Sequence, residues 1–220
     1  MKDTDGTPNV KNVRGALHRA HCLQKTLGRA TVHIDALIGV AEHVIVNRVG
    51  DPVKHCRQFL DALNDETYLM LGLMADAADE VMIFKEFVDD ETMELASSVD
   101  ELRQLIDRLK HLFLGPRGAC LQSGYAAFAL KELEKPKLVK QSGGISSLGK
   151  PGGPSGAVIQ RCRERMEAWC VTTLKLLEAE FPSFELVCNF SVFSLGQQRK
   201  DALGNPVDSG QETRQAGPES

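Results

Sequence analysis

Apolar residues recur every three or four positions along most of this chain, the spacing that places side chains on one face of an α-helix. The longest such stretch, Thr67 to Leu114, predicts an antiparallel pair of helices. Its first helix carries the stripe Met70, Leu73, Ala77, Val81, Phe84 and Val88, and its second carries Leu95, Val99, Leu102, Ile106, Leu109 and Phe113. Each of the six residues of the second stripe contributes roughly 1.5–3 kcal/mol when buried, so we expect the two stripes to pack together.

Acidic residues mark the connection within this pair. Asp89 and Asp90 interrupt the stripe, and Asp90 is suited to cap the second helix. Glu91 and Glu94 would then lie in the first turn, where negative charge meets the positive end of the helix dipole.

Three helices are predicted before the pair. The first extends from about Val10 to Leu27 and ends at Gly28. The second ends near Gly50 and has these inward residues: Leu37, Ile38, Ala41, Val44 and Ile45. The third opens at Asp51-Pro52, a capping acid followed by proline at the first helical position, and stops around Asn64 and Asp65.

Two more helices are predicted after the pair. The first follows a Gly-Pro-Arg-Gly turn, is closed by Pro136, and contains Leu121, Tyr125, Phe128, Ala129 and Leu133. The second begins after Ser155, ends at Phe181-Pro182, and carries Ile159, Cys162, Met166, Trp169, Thr173 and Leu176.

The stretch between these two helices, residues 136–156, is rich in Gly, Ser and Lys. Ordering its backbone would cost on the order of 1–2 kcal/mol per residue. Four aliphatic side chains, at about 2 kcal/mol each, do not offset that cost. The composition therefore predicts a flexible linker.

The fold class that follows is all-α, an irregular multi-helix bundle with this linker and a disordered C-terminal tail. We divide the chain into a disordered tail (1–9), a helical domain (10–135), the linker (136–156), a C-terminal helix with an apolar segment packing on the bundle (157–195), and a disordered tail (196–220). Residues 184–195 fit a strand, a short helix or an apolar hook.

Composition is that of an ordinary soluble protein. The 220 residues are 42% hydrophobic, no apolar run reaches the roughly 20 residues of a membrane-spanning helix, and the N-terminus lacks the apolar core of a signal peptide. We therefore predict no membrane association and an intracellular location, nuclear or cytoplasmic. The six dispersed cysteines are then expected to be reduced thiols.

Charge is distributed unevenly along the chain. Residues 61–114 contain 4 Lys and Arg against 14 Asp and Glu, whereas residues 1–60 contain 9 against 5. One interpretation is a set of solvated helix faces with the basic arm docked on the acidic pair, and the other is an acidic surface that binds a partner. Nucleic-acid binding by the acidic segment is disfavoured, because phosphates would meet its carboxylates.

No motif specifies a catalytic, metal or cofactor site. Residues 144–150 approach the phosphate-binding P-loop, but Pro151 occupies the position of its Mg²⁺-binding Ser or Thr. A zinc site would need His18, Cys22, His55 and Cys56 together, without the paired spacing of zinc modules. A metal-dependent hydrolase site would use Asp76, Asp79 and Glu80, which share one helical face, but a solvated face explains them more simply.

Two stretches resemble the helical insertion domain of hAT-superfamily transposases and their domesticated zinc-finger relatives. Residues 71–113 resemble its leucine-rich helix followed by an acidic helix. Residues 169–195 resemble its helix ending in an acidic Phe-Pro element, here Glu180-Phe181-Pro182, and a following tract, here Asn189-Phe190-Ser191-Val192-Phe193.

The chain also departs from that family. Gly15 stands where the family has the cysteine of a Cys-x-x-His element, which leaves only His18. The family's catalytic carboxylates belong to a ribonuclease-H-like sheet, and no strand-rich segment supplies one here. The resemblance therefore implies a truncated or exapted insertion domain, with no catalytic or DNA-contacting residue carried over.

The function we expect from the sequence is that of a non-enzymatic helical interaction module with a protein partner or self-association, and with no small-molecule substrate or cofactor. The alternative is a nucleic-acid-associated protein that uses the Lys-rich linker and the basic N-terminal arm, with Arg14, Arg19, Lys25 and Arg29 as contacts.

Overall fold

The computed structural model describes residues 10–88, 95–115 and 119–180, with side chains from residues 21–87, 99–115 and 119–179. In these residues the fold is mostly all-α, as predicted, with one small sheet. The α-helices are α1 (Val10–Val32), α2 (Ile34–Asn47), α3 (Asp51–Ala62), α4 (Asp65–Val88), α5 (Leu95–Leu109), α6 (Gly124–Glu132) and α7 (Gly156–Glu180). A π-helical turn (Lys110–Leu114) extends α5, a 3₁₀ turn (Ala119–Leu121) precedes α6, and the strands are β1 (Lys137–Gln141) and β2 (Gly144–Leu148).

Helix α4 lies at the centre of the bundle and packs against α1, α5, α6 and α7. Leu69 and Leu73 lie on one side of the helix and Ala75 on the opposite side, yet all three are fully buried. A helix that is apolar on several sides is a buried one, so α4 contacts more neighbours than the single stripe of the sequence analysis implied.

The helix pair predicted between residues 67 and 114 is present as α4 and α5. Arg108 Nε donates to Glu80 Oε2 at 2.7 Å. The connection between α4 and α5, residues 89–94, lies outside the described residues. The predicted cap Asp90 is part of this connection and therefore also lies outside them.

The junction between α3 and α4 is fixed by reciprocal capping. Asn64 Oδ1 accepts hydrogen bonds from the backbone N–H groups of Glu66 and Thr67, each at 3.0 Å. Thr67 Oγ1 accepts in return from the Asn64 N–H at 2.9 Å. Two backbone donors at the start of α4 are thereby satisfied, and the predicted break at Asn64 and Asp65 is confirmed.

The predicted end of the first helix at Gly28 is wrong, because α1 continues to Val32. Gly28 is instead a packing position: a Cβ built there would lie 2.7 Å from the Tyr125 hydroxyl oxygen. The missing side chain lets α6 approach α1. The start of α3 at Asp51-Pro52 is confirmed, although Gly50 with φ +84° precedes it as the cap and Asp51 is already helical.

Residues 136–156, for which the sequence predicts a flexible linker, contain regular secondary structure. Strands β1 and β2 pair antiparallel, with Val139 opposite Ser146 and Lys137 opposite Leu148. Val139 and Leu148 are buried in the main core. The sheet is therefore part of the helical domain, and the flexible-linker prediction is wrong for these strands.

Polar contacts that the sequence argument had left out hold this hairpin. Gln141 Nε2 donates to the carbonyls of Leu60 and Leu63, at 2.8 and 3.0 Å, at the end of α3. The Ser142 N–H and hydroxyl both donate to Asp61, each at 2.7 Å. These bonds also hold the pKa of Asp61 below its ordinary value. The linker prediction considered only the burial of apolar side chains, whereas these hydrogen bonds also stabilise the ordered segment.

The C-terminal helix is confirmed as α7, and Phe113 meets Trp169 edge-on with ring centroids 6.0 Å apart. The predicted tails (1–9 and 196–220) and the apolar segment 184–195 lie outside the described residues. Among the helices that the structure describes, none combines the length and apolarity needed to cross a membrane.

Tyr68 provides a test of the packing between α4 and the end of α1. Its ring is 1% exposed, and its hydroxyl donates to the Thr31 carbonyl at 2.8 Å. Tyr68→Phe leaves that buried acceptor unpaired, so we expect it to lower the free energy of unfolding by about 1–3 kcal/mol. Urea denaturation followed by circular dichroism would measure the change.

The control for this prediction is Tyr125→Phe. The Tyr125 hydroxyl has no hydrogen-bond partner among the residues that the structure describes, so its removal should cost less. Equal losses for the two substitutions would contradict the assigned role of the Tyr68 hydroxyl.

Candidate interaction surface

The three carboxylates singled out on α4 each have a separate structural partner. Asp79 Oδ1 accepts from Gln24 Nε2 of α1 at 2.6 Å. Glu80 pairs with Arg108 of α5. Asp76 accepts from the Tyr125 and Ala126 backbone N–H groups, at 2.7 and 2.9 Å. The three residues therefore join α4 to three different helices.

Asp76 belongs to α4, and its side chain caps the N-terminus of α6. The N–H groups it binds lie at the positive end of the α6 dipole, and both lower its pKa. Burial outweighs them and, with the charges of Asp79 and Glu80, raises the pKa from 3.8 to about 6. Gly124, with φ +74°, leaves room for this carboxylate, since a Cβ there would overlap Asp76 Oδ1.

The sequence-predicted zinc ligands are not brought together as a site in the part of the chain with described side chains. Cys22 and His55 are exposed, Cys56 is half-buried, and the His18 side chain lies outside that part. No three His, Cys, Asp or Glu side chains lie close enough there to hold a metal ion.

Five of the six cysteines fall in the described residues, and none of the five forms a disulfide bond with another of them. Cys120, Cys162 and Cys170 are buried, and burial raises the pKa of each thiol, that of Cys162 to about 11. Cys162 and Cys170 direct their sulfur atoms to the carbonyls of Glu66 and Leu109, each at 3.6 Å. A thiol held neutral and buried in this way is a packing element rather than a nucleophile.

The basic residues proposed for nucleic acid lie along α1. Lys25 and Arg29 are exposed one helical turn apart. Arg14 and Arg19 belong to the same helix, and their side chains are outside the described set. Two of the three linker lysines pair with acidic residues of the same chain: Lys137 with Asp35 and Glu132 at 2.7 and 2.9 Å, and Lys140 with Glu42 at 3.8 Å. Lys150 is exposed.

Among the residues with described side chains, α2 has three exposed large apolar residues, more than any other helix. We define the α2 face by its exposed residues Ala36, Leu37, Gly39, Val40, His43, Val46 and Asn47. Val40 is 60% exposed and Val46 80%, and Val49 just beyond the helix is 90% exposed. The opposite side of α2, with Ile34, Ile38 and Ala41, is buried in the core.

The residues that define the α2 face are uncharged, and the exposed carboxylate of Asp35 lies at its edge, where it pairs with Lys137 at 2.7 Å. The two polar side chains of the face bond to each other and to the helix: Asn47 Nδ2 lies 3.2 Å from His43 Nδ1 and donates to the His43 carbonyl at 2.9 Å. The Asn47 amide nitrogen is thereby partnered within the helix, and most of the other side chains of the face are apolar or small.

Acidic residues border the α2 face on the side toward the hairpin, and the hairpin neutralises them. Asp35 and Glu42 are the only charged residues of α2, and they pair with Lys137 and Lys140 of β1. Beside this border, a shallow cleft of about 160 Å³ lies between α2, α3 and the hairpin, with Ile45, Arg57 and Lys140 among its lining residues.

The hairpin exposes apolar residues of its own. Leu138 is 74% exposed and Ile145 70%. Leu138 pairs with Ser147 and Ile145 with Lys140, so both apolar residues lie on the outer face of the sheet.

Sequence reasoning missed this surface because it assigned Leu37 and Val44 to the buried stripe of α2. In the structure Leu37 is exposed and Val44 only half-buried, while Ile34 is buried in their place. The signal in the sequence that could have revealed this surface was the amino-acid composition of α2. Apolar residues occur on every side of α2, with two charges in 14 residues, whereas a surface helix normally has a charged outer face.

No family model matches the chain, and the comparisons with curated proteins and with solved structures also found no match.

Proposed function

We propose that this chain is a non-enzymatic helical interaction module that acts through protein–protein contacts at the α2 face. The observation that carries the proposal is the combination of high exposure and absent charge on this face. Exposed apolar side chains that occur singly are ordinary on a protein surface, but a contiguous group is typical of a binding site. Here Leu37 and Val40 are exposed on neighbouring turns of α2, and Val46 is exposed near the end of the same helix.

The carboxylates of α4 support the same conclusion by their structural roles. Asp76, Asp79 and Glu80 each accept hydrogen bonds that hold neighbouring helices on α4. Residues engaged in this way stabilise the bundle that presents α2. A scaffold that fixes one helix with an apolar outer face is the arrangement that helix-mediated recognition uses.

The test is the substitution Val40→Glu in the full chain. We expect proteins that co-purify with the tagged wild-type chain from cells, including a second copy with a different tag, to be lost, because a charge at the centre of an apolar contact must be desolvated. Leu176→Glu on α7 is the matched control, since Leu176 is 59% exposed against 60% for Val40. Unchanged co-purification with Val40→Glu would contradict the proposal.

A nucleic-acid-associated function through the basic N-terminal arm is the second candidate, favoured by the exposure of Lys25 and Arg29. The lysines at 137 and 140 are less available for it, because they pair with acidic residues of the same chain. Binding that weakens steeply with salt and with Arg14→Gln, Arg19→Gln, Lys25→Gln or Arg29→Gln would support this candidate.

The resemblance to hAT transposases enters this proposal only as a hypothesis of ancestry. It rests on the residue patterns between 71 and 113 and between 169 and 195. An insertion domain without its catalytic sheet would retain a helical scaffold, and activity resides in sites rather than in folds.

A further inference from the structure

We infer that a basic cleft between α2 and α3 binds an acidic peptide segment that carries apolar side chains between its carboxylates. We define the basic cleft by three cationic and three apolar residues: Arg48, Lys54, Arg57, Ile45, Val49 and Val53. Its volume is about 440 Å³, and it adjoins the smaller cleft beside the hairpin. None of its defining residues belongs to the α2 face, so this binding site goes beyond the proposed function.

Three cationic side chains from two neighbouring elements line the basic cleft. Arg48 follows the last turn of α2, and Lys54 and Arg57 lie one helical turn apart on α3. All three are exposed, and none forms an ion pair with another residue that the structure describes. Their positive charges are therefore available to a partner.

The carboxylates beside these cations already have hydrogen-bond donors. Asp61 is the only acidic residue that lines the basic cleft, and it accepts two hydrogen bonds from Ser142, each at 2.7 Å. Arg57 interacts with Asp61 electrostatically without forming an ion pair. In the smaller cleft, Glu42 accepts from the Lys140 N–H at 3.4 Å and lies 3.8 Å from Lys140 Nζ. The basic cleft thus has a net positive charge, which is complementary to an acidic partner.

The apolar residues of the cleft indicate what the partner carries besides negative charge. Val49 is 90% exposed, Ile45 is half-buried and Val53 is buried. A purely charged ligand would leave the exposed part of this apolar surface in water. A peptide that places an aliphatic side chain against Val49 and Ile45 removes it from water, which is favourable. Apolar walls with a few charged groups are typical of ligand-binding clefts.

Nucleic acid fits this cleft less well than an acidic peptide. Beyond Arg57 the surface continues past Asp61 and Glu42, so a phosphate chain that follows it would meet two carboxylates. A peptide can place uncharged residues there. The guanidinium groups of Arg48 and Arg57 can each bind a peptide carboxylate through two parallel hydrogen bonds.

The test measures the binding of labelled peptides to the full, purified chain by fluorescence anisotropy. The probe is a fluorescein-labelled peptide, Glu-Glu-Leu-Glu-Glu-Leu-Glu-Glu, which we expect to bind with Kd on the order of 10–100 µM and more weakly as salt is raised. The same peptide with Ser in place of Leu should bind at least about 5-fold more weakly, because it buries less apolar surface. A probe that does not bind at about 1 mM, or a Lys-for-Glu version that binds equally well, would overturn the inference.

Charge reversal within the cleft locates the binding site. The double substitution Arg48→Glu and Lys54→Glu should weaken binding of the probe at least about 10-fold, because two attractive charges become repulsive. Both side chains are exposed, so the fold should tolerate the change. Lys25→Glu with Arg29→Glu on α1 is the matched control, since it changes the net charge equally at two exposed residues. It should weaken binding less than about twofold, and an equal loss in both double variants would show that net charge, not the cleft, attracts the probe.

A fluorescein-labelled oligouridine tests the other class of anionic partner. We expect it to bind the chain more weakly than the probe and to be insensitive to the Arg48 and Lys54 substitutions. Tighter binding than the probe, lost in that double variant, would assign the cleft to nucleic acid and refute the acidic-peptide site.

The outcomes also separate this site from the proposed function. If the probe fails to bind while Val40→Glu still removes a co-purifying protein, the acidic-peptide site is refuted and the proposed function is retained. If the probe binds through Arg48 and Lys54 while Val40→Glu leaves co-purification unchanged, the proposed function is refuted and the acidic-peptide site is retained.

Discussion

Replacing Gly72 with alanine should lower the free energy of unfolding by about 1–3 kcal/mol. A Cβ on Gly72 would lie 2.8 Å from the Tyr125 carbonyl oxygen and 3.0 Å from the Ala126 Cα. Both atoms belong to the backbone of α6, so neither can rotate away as a side chain could. Helices α4 and α6 would have to separate at the centre of the bundle.

The sign of this effect makes it informative. In an exposed helix interior, glycine to alanine stabilises by roughly 0.5–1 kcal/mol. Gly39→Ala on α2 should show that gain, since its Cβ would meet no atom within 4 Å. Urea denaturation at low protein concentration would compare the two variants without a contribution from association. A gain of stability in Gly72→Ala would contradict the close packing of α4 on α6.

Replacing Asp76 with alanine should cost about 1–3 kcal/mol, because two backbone donors at the start of α6 lose their acceptor. Ala126 is fully buried, so its N–H is poorly placed to bond to water instead. Asp76→Asn keeps an oxygen that can accept from one donor and should cost less. Thermal and urea denaturation of the three proteins would rank them.

Asp76 should also make stability depend on pH. Its pKa is raised from 3.8 to about 6 in the folded protein, so between these values the folded chain retains a proton that the unfolded chain has released. The contribution of Asp76 to stability is therefore fully present below about pH 3.8 and is lost as pH rises through about 6. The stability of the wild type relative to Asp76→Asn should decline over this range.

This comparison isolates Asp76, because every other ionisable residue is the same in both proteins. Denaturation at a series of pH values from about 4 to about 7 would measure the difference. A difference that stays constant with pH would mean that burial of Asp76 does not control its ionisation.

Much of the fold could be predicted because helical periodicity is a local property. The pair α4–α5, the break at Asn64 and the start of α3 at Asp51-Pro52 each depend on residues within one or two turns of each other. Gly28 shows where local reasoning fails. Glycine is a common helix end, but here a residue about 100 positions later, Tyr125, occupies the space beside it.

The hairpin and the carboxylates were misjudged for a related reason. Gln141 and Ser142 bind groups of α3 about 80 residues earlier in the chain, and Asp76 binds amides about 50 residues later. Sequence spacing contains no information on such partners. A polar residue in a flexible loop can have the same sequence neighbours as a polar residue that caps a helix elsewhere in the chain. The local sequence therefore does not distinguish the two.

The sequence by itself determined the all-α class, the order of the helices and most of their starting points, because backbone conformation follows from short-range sterics, capping and periodicity. Only the tertiary structure decided which side of α2 faces solvent, since each side of that helix is apolar enough to be buried. The side with Ile34, Ile38 and Ala41 packs on the core, and Val40 and Val46 are therefore left exposed to solvent. Which side of α2 is buried depends on which other elements pack against it, and only the packing of residues far apart in the sequence determines those contacts.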